Sequence, residues 1–301
     1  MPIQEQERLI NTNRQLQDYY ATLESRIGYQ LVLGGTRHFG FYKKDKLWPF
    51  PISAALRAME DHLFETLNLK EGSIVLDAGC GVGHVAIRMA ERGLHVHGID
   101  IVDRHIQKAR KNVQARGFED AISIHKMDYH HLDGFADGAF DGAYTMETFV
   151  HATDPAQSLS EFFRVLKPGG RIALYEYDHQ NLNAAPKSLK KSMDQINKYA
   201  AMPAHTRFEA GVLQHMLEDA GFEDVVANDL TANVTPMMRL FFVLAYVPYL
   251  FVKLFGLQAH FVNTVAGVEG YRGRGYCRYV AVSATKPLGA GSVGDVRPRK
   301  D

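Results

Sequence analysis

Residues 75–84, Val-Leu-Asp-Ala-Gly-Cys-Gly-Val-Gly-His, decide the fold of this chain. The apolar residues before the aspartate are typical of a buried strand, and helical periodicity follows the histidine. The three glycines let the backbone turn sharply and approach a ligand without a Cβ in the way. We therefore predict a strand, a glycine-rich turn and a helix that together bind a cofactor. The predicted contacts within this stretch are Asp77, Gly79, Cys80, Gly81 and Gly83.

From residue 73 onward the chain alternates short apolar runs with helical periods, which is typical of a parallel sheet flanked by helices. The predicted strands are 74–77, 95–100, 122–126, 140–145, 171–176, 222–227 and 278–285. We predict an α/β fold with a Rossmann-like, seven-stranded, mostly parallel sheet and helices on both faces. The predicted organisation is an N-terminal helical and aromatic lid (1–68, with helices at 1–26 and 52–68), a cofactor-binding core (69–231), an apolar substrate-binding insertion or cap (232–275), a last strand (276–287) and a disordered tail (288–301).

Acidic residues end the first three predicted strands. Asp77 is followed on the next strand by Asp100 and on the third by Asp128. Ligands of open α/β sheets bind at the carboxyl ends of the strands, where these acids fall. Asp100 is suited to accept hydrogen bonds from two ribose hydroxyls, and Met127 and Asp128 are suited to cover and bind an adenine. The alternative is that Asp100 and Asp128 are ordinary cap or turn residues.

The glycine stretch argues against a dinucleotide. His84 stands where a dinucleotide-binding fingerprint has its third glycine, and Asp77 would repel a pyrophosphate. A positively charged sulfonium cofactor with an amino-acid tail matches the carboxylate better.

Composition excludes several classes of function. The 34 basic and 34 acidic residues cancel, which argues against binding of nucleic acid. Two cysteines form no disulfide framework, and the polar N-terminus lacks the apolar core of a signal peptide, so we expect a cytoplasmic protein. The histidines at 95, 97, 130 and 131 lack the partners that would complete a tetrahedral site, and we predict no metal.

Three further stretches carry a resemblance to a known family. Residues 144–155 read Tyr-Thr-Met-Glu-Thr-Phe-Val-His-Ala-Thr-Asp-Pro, residues 163–170 read Phe-Arg-Val-Leu-Lys-Pro-Gly-Gly, and residues 175–177 read Tyr-Glu-Tyr. With the glycine stretch they resemble class I S-adenosylmethionine-dependent methyltransferases, and most of all the sterol C-methyltransferase-like branch found in fungi. The resemblance implies S-adenosylmethionine as cofactor and S-adenosylhomocysteine as product. It adds Ile101, Tyr129 and Met146 to the expected cofactor contacts.

The resemblance also places the reaction at the end of the fourth strand, because that strand end faces the transferring methyl group in this family. Glu147 and His151 follow the strand at positions i and i+4 and would share a face if the segment is helical. Tyr29 and His38 are further catalytic candidates, and Phe39, Tyr42, Tyr177 and Tyr246 are candidates for substrate contact. Residues 176–179 are expected to line the substrate pocket. Local pairing of Glu147 and His151, and plain packing of the N-terminal aromatic residues, are the alternatives.

The segment 240–252 is almost wholly apolar, with Arg239 and Lys253 on either side. Thirteen residues with an internal proline are too few to cross a membrane, which takes about 20. A buried cap helix, a lid over a lipophilic substrate and a peripheral membrane contact all remain open.

The function expected from these features is methylation of a lipophilic small molecule, with carbon favoured over oxygen or nitrogen as acceptor. Gln30 follows Tyr29 where sterol methyltransferases carry an acid, which argues against a true sterol 24-methylase. Two alternatives stay open. One is a cyclase or rearrangement enzyme that keeps the cofactor, and the other is a non-catalytic partner subunit of another methyltransferase. A homodimer is also left open.

Overall fold

The computed structural model describes residues 14–22, 33–43 and 46–289. Seven strands form one sheet in the order β3-β2-β1-β4-β5-β7-β6, in which β7 runs antiparallel to both neighbours. The strands are β1 (Ile74–Ala78), β2 (His95–Asp100), β3 (Ile122–Lys126), β4 (Phe140–Met146), β5 (Leu166–His179), β6 (Glu223–Asp229) and β7 (Cys277–Thr285). The predicted seven-stranded, mostly parallel sheet is confirmed.

Helices cover both faces of this sheet. They are α1 (Arg14–Ala21), α2 (Ile52–Leu67), α3 (His84–Glu91), α4 (Asp103–Arg116), α5 (Pro155–Val165), α6 (Lys187–Tyr199), α7 (Val212–Asp219), α8 (Thr231–Leu254) and α9 (Val262–Arg272). The central strand β1 is buried on both sides, with Val75 in the hydrophobic core of one face and Leu76 in that of the other. A continuous apolar run is therefore required there, because each successive side chain enters a core.

The strand register brings the functional residues to one edge of the sheet. Asp77 pairs with Gly98 and Asp100 pairs with Lys126, so the carboxyl ends of β1, β2 and β3 lie side by side. At the same edge Met146 of β4 pairs with Tyr175 of β5. The long antiparallel pairing of β5 with β7 sets Tyr177 opposite Tyr279.

The apolar insertion contains a longer helix than the apolar segment 240–252. It consists of α8 and α9, and α8 begins at Thr231 and runs for 24 residues through Pro236 and Pro248. Among the residues that the structure describes, α8 is the one helix long and apolar enough to cross a membrane by length and composition, and only 22% of its most apolar stretch is buried. The conclusion that this segment is too short to cross a membrane was wrong, because it counted thirteen residues and the helix starts well before residue 240.

Parts of several predictions lie outside the described residues. Of the predicted helix at 1–26, the structure describes residues 14–22, which contain α1. Tyr29, Gln30 and the tail from residue 290 are outside the described ranges, so the predictions made for them stay predictions.

Candidate active site

The glycine turn after β1 has the backbone conformation that its sequence predicts. Gly79, Gly81 and Gly83 have φ angles of 91°, 53° and 83°, in the left-handed region that side chains disfavour. The N–H groups of Gly79 and Cys80 both donate to the Ile99 carbonyl at 2.9 Å. A Cβ on Gly79 would lie 2.6 Å from Oγ1 of Thr148. Glycine at position 79 is therefore required both by the turn and by packing against the loop after β4.

Asp77 at the end of β1 is a buried carboxyl group with an unmet hydrogen-bonding need. It is 3% exposed, and its Oδ2 atom makes no hydrogen bond of good geometry among the described residues, although the nearby hydroxyl of Tyr144 acts to lower its pKa. Burial raises the pKa of Asp77 to about 7. An unpaired buried carboxylate is unfavourable, and a cationic group placed beside it would satisfy it. The site therefore fits a cofactor that brings a positive charge, as the amino group of S-adenosylmethionine does.

The carboxylate of Asp100 is held by its own chain. It accepts hydrogen bonds from the N–H groups of Gly81 at 2.9 Å and Val102 at 2.8 Å, and His105 Nδ1 lies 3.2 Å away. Burial would raise the pKa of Asp100, but His105 and the two backbone N–H groups lower it below its ordinary value. Asp100 is thus ionised and rigidly placed.

Asp128 at the end of β3 is also held locally. Its Oδ1 atom accepts hydrogen bonds from the backbone N–H of His130 at 2.9 Å and from the ring Nδ1 of His130 at 2.5 Å. Asp100 and Asp128 therefore both take part in local turns, which was the alternative to ligand binding. This does not exclude ligand binding, because a carboxylate offers about four acceptor positions.

A cavity of about 40 Å³ brings most of the predicted cofactor residues together. It is far smaller than S-adenosylmethionine, because Leu16 and Tyr20 of α1 lie over the carboxyl ends of the strands and line it too. The predicted residues that line it are Gly79, Asp100, Ile101, Met127, Asp128 and Tyr129. Cys80 and Met146 are instead buried in the hydrophobic core, and Asp77, Gly81 and Gly83 shape the turn beside the cavity.

His151 lies at this cofactor cavity. Its Nδ1 atom bonds to the Ala201 carbonyl at 2.8 Å, and Tyr20 Oη lies 3.2 Å from its Nε2 atom. Burial lowers the pKa of His151 to about 4, so the ring is neutral at physiological pH. Nδ1 therefore carries the proton donated to Ala201, and Nε2 accepts from the Tyr20 hydroxyl.

Glu147 follows β4 with a φ of 57°, a conformation that is strained for a residue with a side chain. Its Oε1 accepts a hydrogen bond from the backbone N–H of Phe39 at 2.7 Å, and its Oε2 accepts one from the hydroxyl of Tyr177. Burial raises the pKa of Glu147 above its ordinary value, although both hydrogen bonds act in the opposite direction. The geometry presents a desolvated carboxyl group at the protein interior.

The expectation that Glu147 and His151 share a helix face is wrong. Only Phe149–His151 are helical, as a single 3₁₀ turn, and Glu147 precedes that turn in the left-handed conformation. Glu147 consequently lines a second, larger cavity, while His151 lines the cofactor cavity. The catalytic role predicted for each residue stays a prediction.

Glu176 organises the loop that carries these two residues. It is fully buried, and Thr145 Oγ1 and the backbone N–H groups of residues 148, 149 and 150 all donate to its carboxylate. Burial raises the pKa of Glu176 to about 8.

The sequence suggested that residues 176–179 line the substrate pocket, but of these only Tyr177 does. Asp178 instead pairs with Arg278 at 2.8 Å.

The second cavity has a volume of about 430 Å³ and a mostly apolar wall. Its walls come from α6, α8 and α9, and its polar groups include Glu147, Tyr177 and Tyr279. The hydroxyl of Tyr279 is buried beside the Glu147 carboxylate, and burial together with that carboxylate raises the pKa of Tyr279 well above its ordinary value. Sequence reasoning missed Tyr279 and the apolar side chains of α6, whereas α9 lies within the insertion at 232–275 that was expected to bind substrate. Those positions look like ordinary core residues, and only the cross-strand pairing with Tyr177 could have suggested Tyr279.

The predicted substrate residues fall into two groups. Phe39 and Tyr177 line the large cavity as expected. Tyr42 does not, because it is buried in a separate core cluster where its hydroxyl donates to the Pro49 carbonyl at 3.0 Å. Tyr246 does not either, since it lies on the outer side of α8 against Phe242.

The catalytic candidate His38 lies behind the cavity wall. Its Nε2 atom is 3.3 Å from Oε1 of Glu60, and the side chain is 3% exposed. Burial would lower the pKa of His38, but the hydrogen bond and charge of Glu60 raise it overall. His38 is therefore placed to hold the segment that carries Phe39, whose N–H binds Glu147.

Among the described residues no group of three or more His, Cys, Asp or Glu side chains forms a metal site.

The fold and this pair of cavities define the class of the protein, and comparison with known families identifies it. Residues 69–237, more than half of the chain, match the family described as "Methyltransferase domain". The chain belongs to this family of S-adenosylmethionine-dependent methyltransferases. The predicted family, enzyme class and cofactor are thereby confirmed.

Three relatives show the range of the family. The chain is 44% identical to an S-adenosyl-L-methionine-dependent Diels-Alderase of Talaromyces variabilis, over 91% of this chain and 95% of the relative. It is 42% identical to a second such Diels-Alderase, of Neonectria sp., over 72% and 85%. It is 31% identical to the sterol 24-C-methyltransferase of Saccharomyces cerevisiae, over 76% and 58%.

Solved structures confirm the fold. The (4+2)-cyclase SpnF superimposes with a TM-score of 0.68 at 24% identity, over 94% of this chain and 97% of that protein. At this identity the likeness shows the architecture alone.

Proposed function

We propose that the protein is an S-adenosylmethionine-dependent cyclase that catalyses an intramolecular (4+2) cycloaddition in a lipophilic polyene. The sequence favoured methyl transfer and kept cyclisation as the alternative. We now prefer cyclisation, because the similarity to a Diels-Alderase extends into the walls of the large cavity.

The extent of similarity carries this proposal. The family match ends at residue 237, before most of the insertion that walls the large cavity. The match to the Diels-Alderase of Talaromyces variabilis covers 91% of this chain. The uncovered part is shorter than α8, with 24 residues, and α9, with 11 residues, taken together, so the match must include part of these helices. It therefore reaches into the walls of the substrate cavity. The match to the sterol methyltransferase covers only 76% of the chain.

The cavity suits a reaction that needs folding of the substrate more than acid–base chemistry. Its volume of about 430 Å³ is within the range of about 300–1,000 Å³ found for small-molecule sites. A long polyene samples many conformations in water, and only a few bring a diene and an alkene together. Apolar walls that hold the chain in one folded conformation lower the entropic part of the barrier.

The polar groups of the cavity position one end of the substrate. The buried hydroxyl of Tyr279 lies beside the Glu147 carboxylate and makes no hydrogen bond of good geometry there, so it can turn to donate one to a carbonyl conjugated with the reacting alkene. Such a bond withdraws electron density from the alkene and accelerates its reaction with a diene. Glu147 holds Phe39 and Tyr177 in place, since it accepts hydrogen bonds from both.

The reaction balances without any leaving group. Two carbon–carbon σ bonds form, three π bonds become one, and no atom or proton enters or leaves the substrate. When bound, the cofactor supplies a positive charge on sulfur, which attracts electron density from a neighbouring carbonyl. Asp77 and the glycine turn hold the cofactor, and the product is an isomer of the substrate.

Methyl transfer is the second candidate, and Glu147 is the observation that favours it. A desolvated carboxylate at the end of β4 is placed to take a proton from an acceptor atom as the methyl group is added. The two reactions differ in their products, because methylation adds one carbon to the substrate and releases S-adenosylhomocysteine.

The experiment uses a synthetic linear polyene ester in which a diene and an alkene conjugated to the ester are separated by a saturated tether. The purified protein is incubated with this compound and S-adenosylmethionine, with S-adenosylhomocysteine, or with neither. We expect a cyclised product of unchanged mass, formed faster with S-adenosylmethionine and without release of S-adenosylhomocysteine. Tyr279→Phe should lower its rate by about tenfold, as expected for loss of one hydrogen bond of about 1.5 kcal/mol. A product heavier by one CH2 unit, with release of S-adenosylhomocysteine, would establish methyl transfer instead.

A further inference from the structure

The outer side of α8 carries large apolar side chains that face solvent. Six of them, which we call the apolar strip, are between 48% and 76% exposed. The apolar strip consists of Val243, Val247, Leu250, Phe251, Leu254 and Phe255. Single exposed apolar residues are common in soluble proteins, but a contiguous group of this size marks a surface that binds something.

The strip is one face of α8, extended by Phe255 directly after the helix. Val243, Val247, Leu250 and Leu254 follow one another at intervals of four, three and four residues, so they lie on the same side of α8. On the other side, Tyr249 and Val252 pack into the core cluster formed with α6 and α9. The helix is therefore fixed to the protein by one face and leaves the strip uncovered.

The charges around the strip are of one sign. The 24 residues of α8 contain no aspartate or glutamate, and their charged residues are Arg239 and Lys253. The following loop, residues 255–261, contains no acid either. At the N-terminal end of the strip, the guanidinium of Arg239 donates to the carbonyl of Leu47, which links α8 to a loop with exposed Leu47, Trp48 and Phe50. Exposed apolar and tryptophan side chains flanked by cations match the surface of a membrane with anionic lipids.

The strip lies next to the wall of the substrate cavity. Leu244 and Pro248 line the large cavity and are also exposed to solvent, so only this one layer of side chains separates the cavity from the surface beside the strip. A lipophilic substrate dissolved in a membrane would enter the cavity there without crossing water.

We propose that the protein docks on the surface of an anionic membrane through the apolar strip and the loop at residues 47–50. The helix lies along the membrane and does not cross it, because its other contacts hold it to the domain. Near its start, Asn233 is buried and its Nδ2 donates to the Tyr42 carbonyl at 2.7 Å. Near its end, the Tyr249 hydroxyl donates to the buried Glu269. This docking does not depend on which reaction the protein catalyses.

The test measures binding of the full-length protein to vesicles of phosphatidylcholine with and without phosphatidylserine. Trp48 is the only tryptophan of the chain, so a blue shift of its emission reports insertion directly, alongside co-sedimentation. We expect binding to the anionic vesicles that weakens at high salt. The double variant Val247→Asp/Phe251→Asp should bind at least about tenfold more weakly, since it removes two side chains that each stabilise insertion when buried.

Val226→Asp is the matched control, because Val226 on β6 is 52% exposed and lies outside the strip. It should bind vesicles like the wild type, and both variants should keep the wild-type affinity for S-adenosylhomocysteine if they are folded. Failure of the wild type to bind anionic vesicles would overturn the proposal. A wild-type dimer that the double variant converts to a monomer, with no vesicle binding by either, would make the strip an interface between two copies. Equal vesicle binding by the wild type and the double variant would also refute docking through the apolar strip.

Discussion

Replacing Asp77 by asparagine removes one buried negative charge and keeps the shape of the side chain. The pKa of Asp77 is about 7, against an ordinary value of 3.8, because burial penalises the ionised form. A shift of about 3 units corresponds to about 4 kcal/mol. Since the folded-state pKa is raised, this contribution to stability is fully present below the pKa of the unfolded chain. It is lost as the pH rises through about 7.

The cofactor-free protein should therefore lose up to about 4 kcal/mol of unfolding free energy between about pH 4 and pH 8 from this group alone. Asp77→Asn should lack that part of the pH dependence and be the more stable protein at pH 8. Urea unfolding of both proteins across this range measures the difference. Parallel pH profiles for the two proteins would refute the assignment.

The same residue couples cofactor binding to a proton. A cationic ligand beside Asp77 lowers its pKa, so binding at pH 6 should release close to one proton. Calorimetric titration with S-adenosylhomocysteine in buffers of different ionisation enthalpy measures that release. Asp77→Asn should bind about 10- to 100-fold more weakly and release no proton, because it loses a charge-assisted hydrogen bond of about 1.5–3 kcal/mol.

Asp100→Asn is the matched control for the proton measurement. The pKa of Asp100 is lowered, so this carboxylate is already ionised at pH 6. The variant should bind at least about tenfold more weakly and still release a proton, although a smaller fraction than the wild type, because the charge of Asp100 contributes to the raised pKa of Asp77. Unchanged affinity in both variants would refute the placement of the cofactor at this edge of the sheet.

Three further predictions follow from the geometry of the site. Glu176→Leu should lower the unfolding free energy by at least about 3 kcal/mol, because it leaves the buried donors of residues 145 and 148–150 without an acceptor; thermal unfolding that matches the wild type would contradict this. Gly79→Ala should abolish binding of S-adenosylhomocysteine, because a Cβ there would lie 2.6 Å from Thr148 Oγ1. The control Gly117→Ala has a φ of 69° and no atom within 4 Å of the added Cβ, so it should lower the unfolding free energy only by the backbone strain of about 1–2 kcal/mol. Glu147→Gln should lower turnover by about tenfold or more and leave cofactor affinity unchanged, and titration showing weakened cofactor binding would instead place Glu147 in the cofactor site.

The sheet and the cofactor residues could be predicted because their patterns are local. A buried parallel strand needs a continuous apolar run, and a left-handed turn needs glycine, so residues 75–84 indicate both strand and turn without any distant contact. The acids at 77, 100 and 128 could be placed together since parallel strands align their carboxyl ends. Their local hydrogen bonds to residues such as His105 could not be predicted, because those depend on the side chain of a neighbouring helix.

The substrate side depended on tertiary structure. An apolar position on α6, α8 or α9 looks the same in sequence whether it lines a cavity, packs in the core or faces solvent, so Tyr246 and Tyr42 were placed wrongly and Tyr279 was missed. The loop after β4 is shaped by Glu176, whose four donors come from residues about 30 positions earlier in the chain. The sequence by itself determined the fold, the family and the cofactor, because these follow from short-range backbone requirements. Only the tertiary structure decided which side chains meet at the substrate cavity and which face of α8 stays exposed, because these follow from packing between segments far apart in the chain.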